Sequence, residues 1–412
     1  MLLFTRNLDI TSRYRGFCRR RILKLNPSFC RVTFLLRLFL FILMSNGICV
    51  GEGDSLTSDF PVLQIRFGFI DPPVVLQKDI TVRAPTSNQQ LAEEPLECSG
   101  MVWFDNHLII LSDRHQHCLF VCPIDLTTLT VGRPEAHSII LNEQNLLDDA
   151  ESISLKLRPG KPASLYVMCS MSNNPGALPL PMRQHMLRLE LSNVQPFRWV
   201  DELVMSGSVI RASVNEHFQA IGVEPYRTYY EQSASKDKNT YRWANIEGLC
   251  FVPDSSLAMC GFRNPLLGEA AIVAVFDGLE DAFDAKNPRM LSLKDLFTLE
   301  LGRRGVSDMS WDPVTKGYLI AAAKSNGPWL DKNQPFPPNQ LDASLFWWSG
   351  RKSEKPILFA QVPDMKIEAI CRLGQSRFIA IGSDEGDVSE SRARRQTILT
   401  IMDFPGSAFS QR

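Results

Sequence analysis

Apolar positions in this chain fall in short runs that alternate with polar residues or end at turn residues. Few of them follow the 3.6-residue period of an amphipathic helix, so the pattern predicts strands. Aligned on an acidic residue, the runs resolve into five copies of one unit. These are "LECSGMVWFDNHLIILSD", "DAESISLKLRPGKPASLYVMCS", "NIEGLCFVPDSSLAMCGFR", "GVSDMSWDPVTKGYLIAAAKS" and "KIEAICRLGQSRFIAIGSDEG", with Glu97, Glu151, Glu247, Asp308 and Glu368 as the acids. A short apolar strand follows each acid, then a turn, then a strongly apolar second strand. Four turns carry Asp, Asn, Pro or Gly at the positions that reverse a chain: "FDN", "RPGKP", "VPDSS" and "DPVTKG". A third strand comes next in every copy: "CLFVCPIDL", "HMLRLELS", "AAIVAVFDG", "ASLFWWSG" and "QTILTIMDF".

The unit is a three-stranded antiparallel meander with room for a fourth strand, and the acids are 54, 96, 61 and 60 residues apart. One such sheet cannot bury both of its faces. Packed side by side around an axis, several can, and units of this length predict an all-β fold, a β-propeller. The double-length interval predicts six blades, with a degenerate blade or an insertion near residues 193–240; five blades is the alternative. "PVLQIRFGF" (61–69) is placed to supply the outer strand of the last blade and so close the ring. Trp347 and Trp348 are expected to pack between blades.

In a propeller the first strand of each blade lies nearest the axis, so the five acids are expected at one mouth of the central channel. The second strands end at that mouth and bring Asp113, Arg114, Ser170, Asn173, Arg263, Lys324, Asp384 and Glu385. Crowded carboxylates call for protonation, ion pairing or a bound cation. Glu97, Glu151, Glu247, Asp308 and Glu368 are therefore candidate ligands for Ca²⁺, which takes carboxylate and amide oxygens. Asn245, Arg263, Lys324, Asp113 and Asp384 are candidate ligand-binding residues. The competing reading is structural, each acid accepting backbone N–H groups of a neighbouring blade.

Charge alters the picture at the N-terminus. Residues 1–47 hold nine Lys/Arg and one Asp, and the rest of the chain holds 35 Lys/Arg against 44 Asp/Glu. An acidic body repels a phosphate backbone, so nucleic acid is not an expected partner. The basic stretch precedes an apolar run at 32–44, broken by Arg37, and then Ser45 and Gly47. Residues 1–50 thus read as an export leader, with 51–412 as the propeller. "RRRILK" (19–24) also has the look of a twin-arginine export signal. The run is shorter than the roughly 20 residues of a membrane span, so a periplasmic or secreted chain without a stable span is expected; an N-terminal membrane anchor is the alternative.

Seven of the ten cysteines lie beyond residue 50, and an odd number leaves at least one thiol unpaired. Most are expected as small buried apolar groups. Cys118 and Cys122 are too far apart along one strand to bridge, whereas Cys250 and Cys260 flank a hairpin turn and are placed to face each other. His115, His117, Cys118 and Cys122 match no common zinc spacing. No nucleophile elbow, phosphate loop or dinucleotide fingerprint occurs, which disfavours a serine hydrolase. "YRTYYEQSASKDKNTYR" (226–242) is a polar loop, either a cover over one mouth or a solvated insertion.

"NIEGL" (245–249), Gly261–Pro265, "GVSDMSWD" (305–312), "SLFWWSG" (344–350) and "IEAI" (367–370) together resemble an uncharacterised bacterial family of propeller domains, related in pattern to esterase-like phytase domains. The resemblance covers about 95–405. The chain departs from the family's pattern at Ser152 and Ala369, where glycine is usual, and at Ser307, where arginine is frequent. Two functions are implied. One is an exported propeller that binds a small anionic ligand or a protein partner at its funnel, with or without Ca²⁺. The other is a metal-dependent hydrolase of an anionic ester, with metal-bound water as nucleophile. Whether the chain is an enzyme stays open.

Overall fold

Five antiparallel sheets surround one axis. They are seen in a computed structural model that describes residues 64–65, 75–76 and 97–404, apart from 114, 116–117, 129, 133, 140–146, 173–179, 192–196, 205–244, 326–342, 363–364 and 385–396. Short strands β1 (Gln64–Ile65) and β2 (Val75–Leu76) come first. The first blade is β3 (Cys98–Phe104), β4 (His107–Ser112) and β5 (Cys118–Asp125), with outer pieces β6 (Thr130–Val131) and β7 (Glu135–Ser138). The second is β8 (Ala150–Lys156), β9 (Ala163–Cys169), β10 (His185–Leu191) and β11 (Phe197–Val204); the third is β12 (Asn245–Phe251), β13 (Ala258–Leu267), β14 (Ala270–Asp277) and β15 (Ser292–Leu299). The fourth comprises β16 (Arg304–Asp312), β17 (Gly317–Lys324), β18 (Ala343–Trp348) and β19 (Ile357–Val362). The fifth comprises β20 (Ile367–Arg372), β21 (Phe378–Ser383) and β22 (Thr397–Asp403), and its outer edge is covered by β1 and β2. A short helix, α1 (Leu279–Asp284), links β14 to β15.

The second strands read as continuous apolar runs because both their faces are covered. In β9, Tyr166 and Met168 join the core shared with the third blade, while Leu165, Val167 and Cys169 join the core shared with the first. β17 divides likewise: Ile320 and Ala322 face the third blade, Leu319 and Ala321 the fifth. Five apolar layers fill the five gaps between consecutive blades, and the last layer joins Ala380 and Leu399 of the fifth blade to Leu108 and Phe120 of the first. That layer closes the ring at five. The expectation of six blades is corrected to the five-bladed alternative. The long interval between Glu151 and Glu247 contains a complete four-stranded second blade ending in β11, and residues 205–244 lie outside the described residues.

Local chemistry matches the pattern. Asp105 and Asn106 both take positive φ in the two-residue turn between β3 and β4, the conformation that twists a tight hairpin correctly. The ring closes where residues 61–69 are placed to close it: Gln64 pairs with Met402 and Ile65 with Ile401. Trp347 and Trp348 point to opposite faces of β18, into the gaps toward the fifth and third blades. The seven described cysteines are buried free thiols. Cys250 and Cys260 do not face each other: Cys250 lies opposite Met259, Cys260 opposite Leu249, and the two thiols enter different cores. A one-residue offset in register turns a side chain to the other face of the sheet. The leader at 1–50 and the tyrosine-rich loop at 226–242 lie outside the described residues.

Candidate functional site

Each innermost strand slips register against its neighbour at an equivalent point, and β12 slips once more between Asn245 and Ile246. The slips fall between Cys98 and Gly100, Ala150 and Ser152, Ile246 and Gly248, Val306 and Asp308, and Ile367 and Ala369. The extra residues are therefore Ser99, Glu151, Glu247, Ser307 and Glu368. A bulge of this kind re-aims a side chain, and it gives the true correspondence between blades. Glu97 lies two residues before its bulge and Asp308 one residue after, so neither is equivalent to the other three acids. Alignment on charge alone missed this because the bulge residue is serine in the first and fourth blades. Ser99 Oγ donates to Ala150 O at 2.6 Å and Ser307 Oγ to Ile367 O at 2.8 Å, each tying its blade to the next.

Asp308 has the structural role. Its carboxylate accepts Met309 N–H at 2.8 Å and Ile370 N–H of the fifth blade at 2.7 Å, deep in the interface between blades.

The remaining acids gather at one mouth. Backbone bonds from Asp113 N to Glu97 O, Ser170 N to Asp149 O and Asp384 N to Lys366 O set the end of each second strand beside the start of the first. Arg263, in β13, crosses toward the fifth blade. Its Nη1 donates to Glu247 Oε2 at 2.7 Å and to Glu368 Oε1, and its Nε donates to Lys324 O at 3.0 Å. Lys324 thus enters the site through its carbonyl. Gly305 makes room for this crossing: a Cβ there would sit 2.1 Å from Arg263 O. Lys366 Nζ bridges Glu368 Oε1 at 2.8 Å and Asp384 Oδ2 at 2.6 Å, and Asn245 Nδ2 donates to Glu247 Oε1 at 2.5 Å. An alternating chain runs from Asn245 through Glu247, Arg263, Glu368 and Lys366 to Asp384. Lys366 was not among the candidates, yet it stands two residues before its bulge, the position held by Asn245 in "NIE" and by Glu97 in the first blade. Arg114, Asn173 and Glu385 lie outside the described residues.

Electrostatics divide these groups. Burial pushes Asp113 up to about 9, with repulsion from Asp384, Glu368 and Glu97 adding to it. Glu247 rises to about 7, burial outweighing the pull of Arg263. Glu151 is raised well above the carboxylate range by burial and by Glu247, Asp149, Glu368 and Asp113. Arg263 and Lys366 are held more basic than usual because their carboxylate partners outweigh the cost of burial. Arg183, which feels Glu151, is bound by Asp148 at 3.0 Å and Asp149 at 2.9 Å. Among the described residues carboxyls thus outnumber cations, and Arg263, Lys366 and Arg183 are already paired.

Three groups at this mouth have no donor among the described residues. Among the described residues no hydrogen bond or ion pair reaches the carboxyl of Glu151, which is 8% exposed. The Oδ1 of Asn245, also 8% exposed, has no hydrogen-bond partner, nor does Asp113 Oδ1. The oxygens are of the kind calcium takes. Even so, among the described residues no three acidic, histidine or cysteine side chains stand close enough together to hold a metal ion. At the first blade His115 stacks edge-on against Phe120, while Cys118 and Cys122 are buried in β5.

No protein-family model matches this chain, and no curated protein matches it. Solved structures with a similar course include a luciferin-regenerating enzyme (9% identity, 73% of this chain and 76% of that one, TM-score 0.31) and a GH43 β-1,3-galactosidase (9%, 74% and 90%, 0.38). A Dos1 propeller is similar over 74% of this chain and 59% of its own (12% identity, TM-score 0.27). Likeness at this level carries no functional argument. The propeller is evident from the five sheets and five interlayer cores themselves.

Proposed function

We propose that the protein is an exported propeller that binds a small ligand at the acidic mouth of its axis. The observation that carries this reading is Glu151. A buried carboxyl with acidic neighbours and no donor costs stability. The same bulge position in the first and fourth blades holds serine, whose hydroxyl is satisfied by the next blade's carbonyl. A structural solution is thus available at this position, and the second blade does not use it. The basic and apolar N-terminal segment supports export. Hydrolysis of an anionic ester with Ca²⁺ is the second reading. What favours it is the contrast between Glu151, which burial and acidic neighbours including Glu368 hold above the usual carboxylate range, and Glu368, which is held by two cations; two carboxyls in unlike surroundings can act as acid and base.

The test uses the chain without its leader and a broad set of small metabolites followed by thermal melting. Glu151→Gln is expected to raise the melting temperature without ligand and to abolish the rise that a ligand gives the wild type. A Glu151→Gln protein that melts lower, with no metabolite distinguishing it from wild type, would overturn the reading. Turnover of p-nitrophenyl phosphate that requires added CaCl₂ and is lost in Glu151→Gln would favour the hydrolase instead.

A further inference from the structure

Resting on that reading, we propose that the ligand presents a protonated primary or secondary amine, received by the carboxylate of Glu151 and the amide oxygen of Asn245. Three observations lead here. Asn245 Oδ1 and Asp113 Oδ1 are buried without a hydrogen-bond partner, and no described residue donates to the carboxyl of Glu151 beside them. Asn245 cannot relieve its own orphaned oxygen by turning over, because its Nδ2 is needed by Glu247 Oε1 and a reversed amide would set oxygen against oxygen there. The ligand that completes such a set supplies N–H donors.

The second observation concerns sign. Arg263 Nη1 already serves two carboxylates and its Nε a carbonyl, and Lys366 serves two more carboxylates. An anionic ligand would have to displace those partners and then meet the surplus of acids. A cation meets no such competition, and its charge favours the ionised Glu151 that burial and acidic neighbours oppose. The third observation is spacing. Since no three acidic, histidine or cysteine side chains converge among the described residues, a bare ion lacks a cage. An ammonium group needs fewer partners and directs its hydrogens to separate acceptors.

Putrescine is the probe, with tetramethylammonium, CaCl₂ and sodium phosphate as comparators at equal ionic strength. The leaderless protein is followed by melting temperature and by calorimetric titration in two buffers of different ionisation heat. Putrescine is expected to raise the melting temperature by several degrees, and the two buffers show whether binding moves a proton. Glu151→Gln should weaken it at least tenfold, and tetramethylammonium, which has charge but no N–H, should do nothing. Calcium matching or exceeding putrescine, or phosphate raising the melting temperature in its place, overturns the amine inference and leaves the mouth a ligand site. If none of the four probes acts, the amine inference is overturned; the broader reading falls with it only if Glu151→Gln also lowers the melting temperature.

Discussion

Arg372 of the fifth blade grips Asp312 of the fourth at the end of the inner strands remote from the acidic mouth, and both side chains are almost wholly buried. The guanidinium uses Nε at 2.9 Å and Nη2 on the two carboxylate oxygens, and Nη1 on Phe404 O at 2.7 Å. Asp312 also accepts Val314 N and Thr315 Oγ1. Here charge is fully matched, in contrast with Glu151. Arg372→Met leaves a buried carboxylate uncompensated and should cost about 3–5 kcal/mol in a denaturant titration. Ligand-induced stabilisation at the other mouth should survive. Loss of less than about 1 kcal/mol would mean that water or relaxation satisfies Asp312.

The acidic mouth should make stability fall with rising pH. Asp113, raised from 3.8 to about 9, holds a proton in the folded state that the unfolded chain has lost, so its contribution is complete below pH 4 and disappears as pH climbs through 9. Glu247 adds a decline of the same sign between about 4.5 and 7. The melting temperature is therefore expected to be higher at pH 5 than at pH 8.5. Asp113→Asn should flatten the upper part of that slope, melting higher than wild type at pH 8.5 and alike at pH 3.5. A wild-type profile that rises toward pH 8.5 would show the carboxyls to be ionised and better paired than described.

Gly305→Ala tests the passage of Arg263. The added Cβ meets backbone, not a flexible side chain, so the fourth blade must shift. A loss of roughly 1–3 kcal/mol is expected from the overpacking. Displacing Arg263 also leaves Glu247 and Glu368 short of their shared partner, so the pH slope between 4.5 and 7 should steepen. An unchanged melting curve would mean that the close approach is relieved at little cost.

Strands and units were legible because second strands such as "SLYVMC" and "YLIAAA" are apolar on both faces, and because turns such as "FDN" carry their own conformation. Blade number was not, since an interval of 96 residues counts chain and not sheets. The site was half legible. Glu151, Glu247 and Glu368 share a bulge, and Arg263 joins two of them. Glu97 and Asp308 were matched by charge, but a sheet places side chains by register, and one residue of slip sent Asp308 into the blade interface. Lys366 was in plain view two residues before Glu368; its importance depends on Asp384, 18 residues beyond it and just past the end of the next strand.

Ring closure yields the last prediction. β22 would be the exposed outer edge of the fifth blade if β1 and β2 did not pair with it, Gln64 on Met402 and Val75 on Ile398. An open edge presents unpaired backbone groups that recruit other chains. These pairings lie beyond residue 50, so a chain lacking residues 1–50 should melt like the full-length protein. A chain lacking residues 1–80 loses both strands, and its fifth blade keeps only β20, β21 and β22. It should melt several degrees lower and associate in a concentration-dependent manner on size-exclusion chromatography. The association follows from the edge and not from general unfolding, so it should appear at temperatures where circular dichroism still reports native strand content. If the shorter chain stays monomeric and melts unchanged, the pairing of β1 and β2 with β22 contributes nothing to closing the ring, and contacts between the first and fifth blades alone hold it shut.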